Sequence, residues 1–202
     1  MQIMGLDLSI TRTGVALPDR TTLAVVPPKQ VTGDDRLEYF ADHIGLAART
    51  ARVDLVVIEG LGGLYKGEAA RTMPMMHGAI RLELKRHRLP YMLLSPSSLK
   101  KFATGNGGAD KTAMALAALK RLGREYRTND ECDADWLRVA GRTVYGLGEY
   151  GSGYGEAGGR LLSLPQAHLE ALRWAGTGKA RHEIVWPEVG GHKPWPGIAL
   201  RT

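Results

Sequence analysis

Gln2-Ile3-Met4-Gly5-Leu6-Asp7-Leu8 is an apolar run broken by a single acid. A run this rich in Ile, Met and Leu reads as a buried strand. A bare carboxylate there is costly unless something positive compensates it. The pattern returns at Leu55-Val56-Val57-Ile58-Glu59, a second apolar strand that ends on an acid just before Gly60. No Lys or Arg interrupts either run, so a divalent cation is the natural partner of both acids.

A third acidic site falls on a helix predicted from Asn129 to Val144. At roughly 100° per residue, Cys132, Trp136, Val139 and Ala140 form an apolar arc, extended by Leu137, Val144 and Ala134. Asp130 and Asp133 are three residues apart and lie within that arc. Glu131 and Asp135 point the other way with Arg138 and Arg142, and are expected to be solvated. Thr128 with Glu131 matches a capping box, which starts the helix just before Asp130. Carboxylate oxygens at these places suit magnesium, with manganese as a substitute. Two such ions, roughly 3.5–4 Å apart, activate a water and orient a phosphodiester.

The elements between these acids define an α/β fold. Gly14 to Leu17 and Thr22 to Val26 are strands joined by a tight turn at Pro18-Asp19-Arg20, so the first three strands make an antiparallel meander. A helix follows from Asp34 to Arg52, then the Glu59 strand, then the glycine-rich Gly60-Leu61-Gly62-Gly63. A second helix runs from Glu68 to His87, with Pro74 near its first turns. Pro90 to Leu94 is a fifth strand, and Ser95-Pro96-Ser97-Ser98 opens a short helix through Phe102. After the Gly105-Asn106-Gly107-Gly108 loop, Asp110 caps a helix from Lys111 to Leu122. The order β-β-β-α-β-α-β-α-α gives a mixed five-stranded sheet, a meander plus parallel strands, flanked by helices. Tyr145 to Gly159 reads as a Gly/Tyr loop and Leu164 to Ala175 as a short helix. A main domain over residues 1–176 with an irregular tail over 177–202 is the expected division.

At 202 residues with 44% hydrophobic and 24% charged content, the chain is long enough for one globular domain with a real core. No segment reaches the roughly 18 apolar residues of a membrane span, and the N-terminus lacks signal-peptide features. Cys132 is the sole cysteine, which excludes an internal disulfide and a cysteine-based zinc site, and fits a reducing, cytoplasmic setting. The net charge of +6 favours a polyanionic partner. Basic residues gather at Arg81-Lys85-Arg86-Arg88, Lys100-Lys101, Lys111, Lys120-Arg121-Arg124-Arg127 and Lys179-Arg181. The histidines show no metal-ligand spacing and are expected to be structural or superficial.

Five segments, in order, resemble the RuvC family of Holliday junction resolvases within the ribonuclease H-like superfamily. Met4-Gly5-Leu6-Asp7 with Thr13-Gly14-Val15-Ala16 is similar to that family's first strand and hairpin. Val57-Ile58-Glu59 resembles its second acidic motif, and Ala70 to Leu82 the helix that follows. Ser95 to Lys100 and Gly105 to Lys111 resemble its Lys-bearing, glycine-rich segment, and Asp130-Glu131-Cys132-Asp133-Ala134 its last acidic motif. The likeness spans about Gln2 to Ala140.

The resemblance implies a homodimeric nuclease that cuts four-way junctions symmetrically, with Asp7, Glu59, Asp130 and Asp133 holding two magnesium ions. It also implies Lys111 and Lys100 near the scissile phosphate, with Lys101 leaving the register open. The helix carrying Met73, Met75, Met76, Ile80 and Leu84 is the implied dimer seam, although such a stripe is more often plain core. Two departures stand out. Leu8-Ser9-Ile10-Thr11 replaces the Pro-Gly that often follows the first acid. Gly62 replaces an aromatic wedge, leaving Leu61, Leu64 or Tyr65 to open the junction. Divergence of this size fits an atypical, bacteriophage-type member. A related nuclease of forks or flaps, a non-catalytic junction binder and an actin-like phosphate-binding fragment are the alternatives.

Overall fold

The computed structural model describes residues 1–62, 67–147, 165–175, 182–183 and 186–194. Its main sheet has five strands in the order β3-β2-β1-β4-β5. These are β1 (Ile3–Asp7), β2 (Thr13–Ala16), β3 (Thr22–Val25), β4 (Leu55–Glu59) and β5 (Tyr91–Leu94). β1, β2 and β3 pair antiparallel, while β1–β4 and β4–β5 are parallel. The β2–β3 turn closes through Leu17 N–H to Thr21 O at 2.8 Å, with Arg20 at φ 75°.

Strand alternation sorts the side chains into two cores. On one face Met4, Leu6, Val15, Val56 and Ile58 pack against α1 (Gly33–Thr50) and α2 (Ala69–Arg86). On the other, Ile3, Leu55, Val57 and Leu94 meet α3 (Pro96–Thr104), α4 (Lys111–Leu122) and α5 (Asn129–Val144). By the same parity Asp7 and Glu59 turn to the α5 face. Helix α2 carries Pro74 inside it, as its sixth residue, where the missing N–H leaves Ala70 O without its i+4 donor. Ser95 caps α3 by accepting from Ser98 N–H at 3.2 Å, and Asp110 caps α4 by accepting from Ala113 N–H at 2.8 Å.

Three expectations are decided by the fold, two of them as corrections. First, the expected wet face of α5 is closed over except at half-buried Arg142. Glu131, Asp135 and Arg138 are buried, because α5 lies centrally in its layer between the sheet and the α4–α5 connection. Second, the plain-core reading of the α2 stripe holds: Met73, Met76, Ile80 and Leu84 point into the α1–α2 core, and only Met75 of that stripe faces outward. Third, Leu164 to Ala175 is not one helix. α6 covers Gln166–Glu170, and Trp174–Ala175 (β6) is extended because it pairs antiparallel with His182–Glu183 (β7).

Beyond β7, Trp186 and Val189 are buried in the α5-side core. The Trp186 indole donates to Leu172 O at 2.9 Å, and Tyr145 Oη donates to Pro187 O at 2.6 Å. His168 is buried too, with Nδ1 2.8 Å from Phe102 O at the end of α3. The predicted loop over 145–159 lies outside the described residues beyond Leu147. Among the described residues, no helix is long and apolar enough to cross a membrane.

Candidate active site

Asp7 ends β1 and Glu59 ends β4. The two strands run in parallel with Leu6 opposite Ile58, so one step further the two acids stand side by side on the same face. This is the carboxyl end of the parallel strands, where α/β sheets place their sites. Asp130 and Asp133 arrive from the first turns of α5, whose N-terminus is fixed by Thr128 accepting from Glu131 N–H at 3.3 Å. The reciprocal half of a capping box is absent: Glu131 instead accepts from Thr22 Oγ1 on β3 at 3.2 Å.

Two glycines let α5 come this close. A Cβ on Gly5 would collide with Ala134 O, and one on Gly14 with Asp130 O. Both glycines face α5 by the alternation that turns Asp7 toward it. Sequence reasoning passed over them as seats, although a glycine inside an otherwise apolar strand marks a close backbone approach.

The acids share one electrostatic field. Burial raises the Asp7 carboxyl to about 9, helped by Glu59, Asp133 and Asp130 and by a hydrogen bond to Glu59. Burial and Asp133 raise Glu59 to about 7, against the opposing pull of that hydrogen bond and of Lys100. Asp133 rises to about 6, through burial first and Asp130 second, with Lys100 and Lys111 opposing. All four acids are partly exposed, so the cleft opens to solvent. Among the described residues, no three His, Cys, Asp or Glu side chains close into a ready metal cage. The acids face one another across the cleft without enclosing a point. Hard carboxylate oxygens in mutual repulsion, only partly offset by Lys100 and Lys111, are nevertheless a donor set that a divalent cation fits.

The lysines come from outside the acidic runs. Lys100 on α3 acts on both Glu59 and Asp133, and Lys111 at the first position of α4 acts on Asp133. Lys101 acts on none of the shifted acids and is partly buried on α3. Leu64 and Tyr65 lie outside the described residues. Leu61 is exposed, and Gly62 is pressed against Pro96, so a side chain there would collide with the start of α3.

The sheet order and the acids on β1, β4 and the last core helix define a ribonuclease H-like fold. Thermus thermophilus RuvC has the same architecture: its structure aligns with a TM-score of 0.59 at 20% identity, covering 68% of this chain and 91% of that one. A second T. thermophilus RuvC structure, in complex with Holliday junction substrate, aligns with a TM-score of 0.60 at 21% identity, covering 68% and 90%. Among curated proteins, the RuvC crossover junction endodeoxyribonuclease of Frankia alni is 31% identical over 152 residues, 69% of this chain and 76% of its own. That of Nocardia farcinica is 29% identical over 149 residues, 69% and 79% respectively. No protein-family model matches the chain. The chain belongs to the RuvC family of crossover junction endodeoxyribonucleases.

Proposed function

We propose that this protein is a metal-dependent endonuclease that resolves four-way DNA junctions, with Asp7, Glu59, Asp130 and Asp133 as the acids that hold two magnesium ions. The observation that carries the reading is the convergence of these four acids on one field at the carboxyl ends of β1 and β4. Bound divalent cations would supply Lewis acidity and an activated water at the phosphodiester, and manganese would substitute. Lys111 meets a strand phosphate beside the free N–H groups of α4, and Lys100 offsets the charge of Glu59 and Asp133. Lys101, one position further along α3, belongs to the flanking DNA surface. A net charge of +6 supports a branched polyanion as partner.

We assign Leu64 and Tyr65 to junction opening, since Gly62 has no room for a wedge. The homodimer would use the outward side of α2, where Met75 and Leu82 are half exposed.

The test is a labelled four-way junction incubated with the protein in magnesium and in chelator. Paired symmetrical incisions are expected with magnesium alone. Asp7→Asn is expected to bind the junction yet cut about a hundredfold to a thousandfold more slowly, the usual loss for removing one transition-state stabiliser. An uncut junction, or an Asp7→Asn variant as fast as the parent, overturns the proposal.

A further inference from the structure

Asp135 sits two residues beyond Asp133 on α5 and is fully buried, at 0% exposure. Its Oδ1 accepts from Arg138 Nε at 2.6 Å. Its Oδ2 accepts from Arg124 Nη1 at 2.7 Å and from Tyr126 Oη at 2.6 Å. Arg124 also reaches back to the β2–β3 turn, where its Nη2 donates to Arg20 O at 2.7 Å. The turn, the α4–α5 connection and α5 are thus tied at one carboxylate.

Glu131, Asp135 and Arg138 follow an i, i+4, i+7 spacing and form one stripe along α5. Glu131 is buried and grips Thr22 on β3; Asp135 grips the connection and, through Arg124, the β2–β3 turn. Asp130 and Asp133 lie roughly 140° around the helix from this stripe. Gly5 and Gly14 set how deep α5 lies on the sheet, and buried Trp136, Leu137 and Val139 choose the face it turns inward, but apolar contacts tolerate small rotations about the helix axis. The polar stripe fixes the angle. A buried ion pair is a poor source of net stability, and its best-attested use is to enforce one register over its neighbours.

We propose that Asp135 is a positioning residue which, with Glu131, locks the rotation of α5 and so aims Asp130 and Asp133 at Asp7 and Glu59. This deepens the nuclease reading and rests on it. The lock acts through helix geometry, touching neither substrate nor cation. Tyr126 serves as a donor only: burial, then the neighbouring Asp135, raise its phenol far above the ordinary range and keep it protonated.

The experiment measures Mn2+ binding to the full chain by calorimetry, alongside junction cleavage and thermal melting. Variants are Asp135→Asn and the milder double variant Thr22→Val with Tyr126→Phe, which keeps every charge. Asp135→Asn is expected to bind Mn2+ about tenfold more weakly, the scale seen for groups that orient metal ligands. Its kcat falls at limiting Mn2+ and recovers with excess, while KM for the junction and metal-free junction binding stay unchanged. The double variant removes one hydrogen bond from each of Asp135 and Glu131 and keeps both carboxylates, so it is expected to bind Mn2+ about threefold more weakly, below the tenfold scale of a whole orienting group.

Mn2+ affinity equal to the parent's in a folded Asp135→Asn overturns the lock. So does a weakened KM with intact Mn2+ affinity. Should Asp135→Asn fail to fold, the double variant decides alone, and parental Mn2+ affinity there overturns the proposal. A parent protein that binds Mn2+ but leaves junctions uncut defeats the nuclease reading instead, and the Mn2+ isotherms still judge the lock.

Discussion

The two faces of the sheet are built on different principles. On the α1–α2 face, helices meet strands through Phe40, Ile44, Met76, Ile80 and Leu84, in a core of ordinary apolar contacts. Its principal buried acid, Glu83, is answered by Arg49, Arg86 and His87. The α5 face has apolar packing as well, but it also holds two kinds of acid on one helix. Asp135 is wholly buried and meets two guanidinium groups at 2.6 and 2.7 Å. Asp133, two residues earlier, is only partly buried, has Lys100 and Lys111 as opposing charges, and still rises to about 6. A protein that means to bury a charge permanently supplies its counterion from the chain. Where it leaves carboxylates crowded and raised beside open solvent, the counterion is expected from outside.

The contrast is broken most severely by cutting into the packing face. Ile80→Ala should cost about 2–5 kcal/mol of stability, the usual range for emptying an aliphatic core site. Denaturant melts would measure it, and junction cleavage per folded molecule should not change. A loss of specific activity would mean that the two faces are coupled.

The acidic cleft should respond in the opposite sense to charge. Asp7, Glu59 and Asp133 are all raised above their ordinary values, so the folded, metal-free protein holds protons that the unfolded chain gives up. The stability this confers is complete below the unfolded pKa values. It is lost as pH climbs through about 6, about 7 and about 9 in turn. Bound magnesium relieves the same repulsion. The gap in Tm between magnesium and chelator should therefore widen by several degrees between about pH 5 and pH 9. A gap that stays flat across that range would refute a shared field.

The smallest effect separates two neighbouring lysines. Lys100→Ala should slow cleavage about tenfold, the size of a modest lost electrostatic interaction in the transition state. Lys101→Ala should leave the rate near the parent's and weaken only DNA binding at higher salt. Equal losses from both would erase the distinction between a site charge and a surface charge.

Much of this fold was legible because its elements carry strong signals. The bounds Lys111–Leu122 and Asn129–Val144 follow from Asp110 and Thr128 as caps and from helical apolar spacing. Asp7 and Glu59 could be picked out because each breaks a run of side chains that otherwise belongs to a core. Asp135 could not. An acid three residues before an arginine looks the same on a wet helix face as in a buried hub, and only the partners Arg124 and Tyr126 tell them apart. The C-terminal region was illegible for another reason. Trp186 and Val189 pack as isolated anchors and β6–β7 is only two residues per strand, so no periodicity announces them.

That late anchoring has a consequence for how the molecule is made. Trp186 and Val189 fill the same core as Ile3 and Val57, so residues synthesised near the beginning wait for partners that emerge near the end. The α1–α2 side draws on residues up to Leu93 and is free to consolidate on the ribosome, since early segments generally fold first. The α5 side stays unfinished until Trp186 and Val189 leave the exit tunnel. A nascent chain would therefore close its acidic face only after Trp186 and Val189 have been made.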